Sequence, residues 1–274
     1  MIPPVVDADW LAAHRDEVVL ADVRWYLDGR SGRAAYDAGH LPGAVFVDLD
    51  AWLAAEAGDA GGRHPLPAPE VFARGMGSLG IADGDPVVAY DDQGGVIAAR
   101  LVWMLRALEH PAALLDGGLR DWDGPLDTEP ARRPPARFTP APWPAEALAS
   151  IEDAADAANV VLDARDRERF RGEVEPVDPR AGHIPGARNL PARENVDERG
   201  RLLPRDELRR RFAAVGADAA APVVSYCGSG ITACHTLVAM EHAGLGPGRL
   251  FPGSWSQWSR DPDRPAATGD EPGP

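Results

Sequence analysis

Short, unbroken apolar runs recur along the chain, each closed by a polar residue. Val18-Val19-Leu20-Ala21-Asp22-Val23-Arg24 and Val160-Val161-Leu162-Asp163-Ala164-Arg165 both end on an acid and an arginine. Pro86-Val87-Val88-Ala89-Tyr90 and Pro222-Val223-Val224-Ser225-Tyr226 both end on a tyrosine. Runs this short and this apolar predict strands buried on both faces, as in a parallel sheet. Each tyrosine-ended strand leads into a predicted helix, Val96 to Ala107 in the first half and Ile231 to Ala243 in the second. Strands alternating with helices predict an α/β fold, a mainly parallel sheet flanked by helices, with ligands at the carboxyl ends of the strands.

The pairs above belong to one internal repeat. Ala38-Gly39-His40-Leu41-Pro42-Gly43-Ala44 answers to Ala181-Gly182-His183-Ile184-Pro185-Gly186-Ala187. Asp116-Gly117-Gly118-Leu119-Arg120-Asp121-Trp122 answers to Pro252-Gly253-Ser254-Trp255-Ser256-Gln257-Trp258. Matches in the same order in both halves predict two copies of one domain, residues 1–124 and 146–274. Between them, residues 125–145 carry Pro125, Pro130, Pro134, Pro135, Pro140, Pro142 and Pro144, which forbids helix or central strand and favours an extended connector. The Pro-, Asp- and Gly-rich tail after about residue 260 is expected to be poorly ordered.

Composition narrows the function. The 274 residues are 45% hydrophobic and 26% charged, as in a soluble globular protein. No apolar stretch approaches the roughly 18 residues that cross a membrane. The start of the chain lacks a basic end and an apolar core, so a cytoplasmic location is expected. A net charge of −15 argues against a nucleic-acid partner, which needs a basic surface. The two cysteines, Cys227 and Cys234, make no disulfide framework, and they lack the further close ligands of a structural metal site. No metal or organic cofactor is expected.

The chemistry centres on Cys227. It stands where an apolar strand stops, in Tyr226-Cys227-Gly228-Ser229-Gly230-Ile231-Thr232, just before a helix. A Gly-rich turn at that point aims backbone N–H groups at one spot, favours negative charge there and suits a nucleophilic thiolate. Gly228 and Gly230 remove side chains that would block the approach, and the N–H groups from Gly228 through Ile231 to Thr232 can stabilise an anion. Ser229 is either a proton-handling hydroxyl or a cap for the following helix. Cys234 is expected to face the core. With the loop glycines Gly95 and Gly230 aligned, the first copy carries Asp92 opposite Cys227, so it is expected to be catalytically inactive. A cysteine phosphatase needs an arginine six positions after the cysteine; here that residue is Ala233.

The paired Ala-Gly-His-Ile/Leu-Pro-Gly-Ala boxes, the Cys-Gly-Ser-Gly-Ile-Thr loop and the Gly253-Ser254-Trp255-Ser256-Gln257-Trp258 segment resemble the tandem-domain rhodanese sulfurtransferases over roughly Val18 to Trp258. The resemblance implies two rhodanese-like domains, the second catalytic. It implies a Cys227 persulfide that passes sulfur from a small-molecule donor to cyanide or to a thiol such as thioredoxin. Members that prefer thiosulfate carry cations just after the cysteine; the uncharged loop here is similar to members that prefer 3-mercaptopyruvate. For that donor the resemblance implies an arginine anchor for the carboxylate, with Arg171 as the first such residue and Arg180 as the second. It further implies a Ser–His–Asp relay, in which Ser229 and His40 match the serine and histidine; Gly29-Arg30-Ser31-Gly32-Arg33 supplies no aspartate. Tyr26 and Trp255 resemble residues that line the substrate cleft. Thiosulfate is the alternative donor, and a non-catalytic sulfur-sensing module the alternative of another class.

Overall fold

The computed structural model describes residues 2–59 and 61–273, so Met1, Ala60 and Pro274 of the expected segments lie outside the described residues. The chain forms two compact units. The first comprises Met1–Ala55, Leu66–Trp143 and Val196–Leu202; the second comprises Glu56–Pro65, Pro144–Asn195 and Leu203–Pro274. Each half of the chain therefore gives one short segment to the other's unit, an arrangement that a simple division at the linker does not anticipate.

The first unit holds strands β1 (Val5–Val6), β2 (Val19–Asp22), β3 (Val45–Phe46), β4 (Val87–Tyr90) and β5 (Ala112–Leu115) in one sheet of order β1-β5-β4-β2-β3. The second holds β6 (Val160–Asp163), β7 (Arg188–Asn189), β8 (Val223–Tyr226) and β9 (Arg249–Leu250) in the order β7-β6-β8-β9. Every pairing is parallel. All residues of β2, β4, β5 and β8 are buried, which is why these strands read as continuous apolar runs rather than alternating ones. The registers repeat, with Asp22 opposite Tyr90 in one sheet and Asp163 opposite Tyr226 in the other.

The matched boxes do the same work in each unit. Arg24 donates to the Asp22 carboxylate and to the Gly39 carbonyl; Arg165 donates to Asp163 and to the Gly182 carbonyl. The Leu41 N–H donates to the Tyr90 hydroxyl, and the Ile184 N–H to that of Tyr226. Burial pushes the Asp22 carboxyl and both phenols upward in pKa, the carboxyl in spite of the Arg24 bonds.

Two connecting segments differ from expectation in their degree of order. From the end of the turn at Gly118–Asp121 to Ala145 the chain forms no helix or regular strand, in line with its prolines, yet it is fastened to the first unit. Asp127 pairs with His40 through two backbone hydrogen bonds, Phe138 is buried edge-on against Phe72, and the Trp143 indole donates to the Pro67 carbonyl. The tail after residue 260 is also tied down, which corrects the expectation of disorder. Ala267 and His183 exchange backbone bonds, the Gly269 N–H donates to the Arg171 carbonyl, and the Trp258 indole donates to the Pro265 carbonyl. No described helix is long and apolar enough to cross a membrane.

Candidate active site

In the second unit Cys227 follows the carboxyl end of β8, with β6 and β9 on either side. The helix Thr232–Ala243 begins just beyond it. The Cys227 side chain is almost fully buried, and its Sγ accepts the Gly230 N–H at 3.1 Å. Gly230 has φ +79°, and a Cβ there would sit 2.6 Å from the Pro252 carbonyl oxygen, so both backbone conformation and space require glycine. Among the described residues no acceptor takes the N–H groups of Gly228, Ser229 or Ile231. The cradle has capacity for an incoming anion.

The turn that follows β9 fixes this loop. Ser254 adopts φ +52°, a left-handed conformation that is costly for a non-glycine residue. In that conformation its hydroxyl accepts the Cys227 N–H at 3.1 Å and donates to the Phe251 carbonyl at 2.9 Å. The Trp255 and Ser256 N–H groups donate to the carbonyls of Cys227 and Gly228 at 3.0 and 2.9 Å. Trp255 therefore serves through its backbone. Its ring is fully buried and its indole N–H donates to the Arg180 carbonyl, so the expectation that it lines a cleft is corrected.

Ser229 does not cap the helix, which has no side-chain cap; its hydroxyl instead shares a 2.8 Å hydrogen bond with Nδ1 of His64. The imidazole that meets Ser229 is that of His64, not that of His40. His40 is wholly buried in the first unit, stacked on Tyr36 at 3.7 Å, with Nδ1 bonded to the Tyr36 carbonyl. His183 repeats this on Phe170 in the second unit, so the His-Pro-Gly boxes are structural in both copies. Tyr26 also belongs to the first unit, where its hydroxyl donates to Asp92 at 2.6 Å beneath the Arg30 guanidinium. Burial, with the Asp92 carboxylate, pushes its pKa up to about 12.

The cations at the loop are not those expected. Arg171 projects to an exposed pair with Asp270 and a longer contact with Glu173. Arg180 spends its guanidinium on the carbonyls of Trp258, Ser259, Asp261 and Arg264 and is a brace for the tail. Arg169 and Arg63 reach the loop instead. A Cβ on Gly228 would lie 2.9 Å from an Arg63 Nη and 3.4 Å from an Arg169 Nη. Arg63 is held by its N–H to the Ser256 hydroxyl at 3.0 Å and by an ion pair with Asp178, which Arg169 also contacts at 3.3 Å. Arg169 pairs with Glu175 at 2.6 Å. Burial alone would raise the Glu175 carboxyl, but hydrogen bonds from Arg169 and from the Asp178 and Val177 N–H groups outweigh it and hold that carboxyl below its usual range. Cys234 is buried as expected, its thiol directed to the Gly230 carbonyl.

In the first unit the residue directly after β4 is Asp91, not Asp92. The Leu119 N–H donates to the Asp91 carbonyl as the Trp255 N–H does to that of Cys227, which fixes the equivalence. Gly94, three residues after Asp91 and at φ +76°, then corresponds to Gly230, three residues after Cys227 and at φ +79°, and alignment on Gly95 displaced the match by one.

The rhodanese-like domain model matches residues 7–124 and 144–261. The chain is 41% identical to the "Probable 3-mercaptopyruvate sulfurtransferase" of Pseudomonas aeruginosa, covering 97% of this chain and 98% of that protein. It is 40% identical to the "Putative thiosulfate sulfurtransferase SseB" of Mycobacterium tuberculosis, covering 93% and 92%. The crystal structure of the 3-mercaptopyruvate sulfurtransferase SseA from Escherichia coli matches with a TM-score of 0.81 at 35% identity, over 93% of this chain and 100% of that one. With both domain matches, full-length relatives and a cysteine held in the second cradle, the chain belongs to the rhodanese family, as a tandem-domain sulfurtransferase.

Proposed function

We propose that the protein moves sulfane sulfur from 3-mercaptopyruvate to a thiol such as that of thioredoxin, or to cyanide, through a persulfide on Cys227. The Cys227 thiolate attacks the donor sulfur and the carbon–sulfur bond breaks. The electron pair leaves with carbon as the pyruvate enolate, and the proton that was on the donor thiol ends on carbon as pyruvate forms. Sulfur remains as Cys227–S–S⁻, whose outer charge the N–H groups of Gly228 to Thr232 are placed to stabilise. A thiol or cyanide then attacks the outer sulfur and restores the thiolate.

The observation that carries the choice of donor is the hydrogen bond between Ser229 and His64. Transfer from 3-mercaptopyruvate relocates a proton from sulfur to carbon, and a hydroxyl–imidazole pair two residues from the nucleophile can move it. Transfer from thiosulfate releases sulfite and needs no such proton. Arg169 and Arg63 are positioned to receive the donor's carboxylate beside Gly228. Thiosulfate is the second reading: these same guanidinium groups could also receive a dianion, although the loop itself carries no charge.

Steady-state kinetics with both donors and cyanide as acceptor test the assignment. The higher kcat/KM is expected with 3-mercaptopyruvate, and His64→Gln is expected to lower that value roughly 100-fold while changing the thiosulfate rate far less. A preference for thiosulfate by an order of magnitude, or equal losses with both donors in the variant, contradicts it.

A further inference from the structure

The two guanidinium groups at the loop are the outer end of a continuous ladder of ion pairs in the second unit. It runs Asp163–Arg165–Glu175–Arg169–Asp178–Arg63, with alternating sign at every step. Its inner rungs are tight: Arg165 meets Asp163 at 2.6 Å and Glu175 at 3.3 Å, and Arg169 meets Glu175 at 2.6 Å. Its two ends differ in burial: Asp163 has no exposure, whereas Arg63 exposes 18% of its side chain. Asp178, at 2% exposure, is the last carboxylate before the loop and is shared by Arg63 and Arg169. Three guanidinium groups face three carboxylates, so the formal charges of the ladder cancel.

This cancellation bears on the donor. Arg63 and Arg169 each bring an Nη into the space beside Gly228, 2.9 and 3.4 Å from where a Cβ on that glycine would stand. The site therefore offers hydrogen-bond donors without surplus positive charge. A monoanion bound there leaves the buried cluster with one net negative charge; a dianion leaves it with two. Burial away from water makes the second charge much costlier than the first.

We propose that Asp178 is a specificity-determining residue, which bridges Arg63 and Arg169, neutralises the pair and so restricts the anion site beside Gly228 to singly charged donors such as a 2-oxo carboxylate, against the thiosulfate dianion. The inference rests on the sulfur-transfer reading above. It assigns donor selection to a carboxylate that touches neither the nucleophile nor the proton-handling pair, and it makes the second unit's choice of substrate a matter of charge count rather than of cavity size.

Donor kinetics of the full-length chain, with Asp178→Asn and Asp178→Glu at fixed ionic strength, test it. Asp178→Asn leaves the ladder one positive charge in excess, so the ratio of thiosulfate to 3-mercaptopyruvate kcat/KM is expected to rise about tenfold, mainly through the KM for thiosulfate. Asp178→Glu is expected to restore the wild-type ratio. If Asp178→Asn does not melt cooperatively, Arg63→Met carries the test: it leaves one negative charge in excess, and the same ratio is expected to fall about tenfold. A ratio that stays constant in the folded variants, or that moves in the opposite direction, overturns the role of Asp178 while leaving the sulfur-transfer reading intact. A wild-type preference for thiosulfate overturns the donor assignment on its own, and absence of turnover with either donor sinks both.

Discussion

The loops after β4 and after β8 have the same frame and opposite contents. Both follow a buried parallel strand that ends in a tyrosine, and both are tied through their first carbonyl to a later turn. In the first loop the Asp91 carboxylate accepts the N–H groups of Gln93, Gly95, Ile97 and Ala98, at 2.7 to 2.9 Å. In the second, the Cys227 sulfur accepts one N–H, from Gly230. The fold thus builds an anion cradle twice. One copy is filled by a carboxylate of its own chain; the other holds a thiol and leaves the N–H groups of Gly228, Ser229 and Ile231 without an acceptor among the described residues. The hydrogen bonds of the Asp91 carboxylate consume the first cradle, so that carboxylate holds the loop's own backbone.

The comparison predicts a separation of stability from activity. Asp91→Ala strips the common acceptor from four backbone N–H groups in a buried loop and is expected to destabilise the protein by about 3 kcal/mol, since unsatisfied buried donors are costly. Urea unfolding would measure this; a change below about 0.5 kcal/mol would show that the carboxylate is not what holds the loop. A smaller contrast separates two neighbouring arginines. Arg169→Ala is expected to raise the KM for 3-mercaptopyruvate roughly tenfold, because its guanidinium lies beside Gly228. Arg171→Ala, which loses only an exposed pair with Asp270, is expected to leave kcat/KM within about twofold. The reverse order of effects would return the anchoring role to Arg171.

The same comparison separates what could be read from the chain from what could not. The strands, the repeat and the Gly-rich turn around Cys227 were legible because each depends on local sequence: a buried parallel strand is an apolar run, and a cradle is a Gly-rich turn before a helix. The helix in the first half starts at Ala99 rather than Val96 because Gly95 to Ala98 wrap around Asp91, an interaction no periodicity reveals. His64 was invisible for a different reason. It meets Ser229 across 165 residues, from a segment, Glu56–Pro65, that belongs to the second unit although it lies in the first half of the chain. Its only local signal is a histidine after a glycine-rich turn. Arg169 and Arg171 lie two positions apart on the helix Arg167–Arg171, so they point to different sides of it, and the motif alone pointed to Arg171 rather than to Arg169.

In the proposed reaction sulfur is carried at one position. Intact and peptide mass spectrometry of the protein after treatment with 3-mercaptopyruvate, without acceptor, is expected to show a gain of one sulfur atom located on Cys227, lost again on adding cyanide and absent in Cys227→Ser. A gain located on Cys234, or turnover that persists in Cys227→Ser, would contradict it.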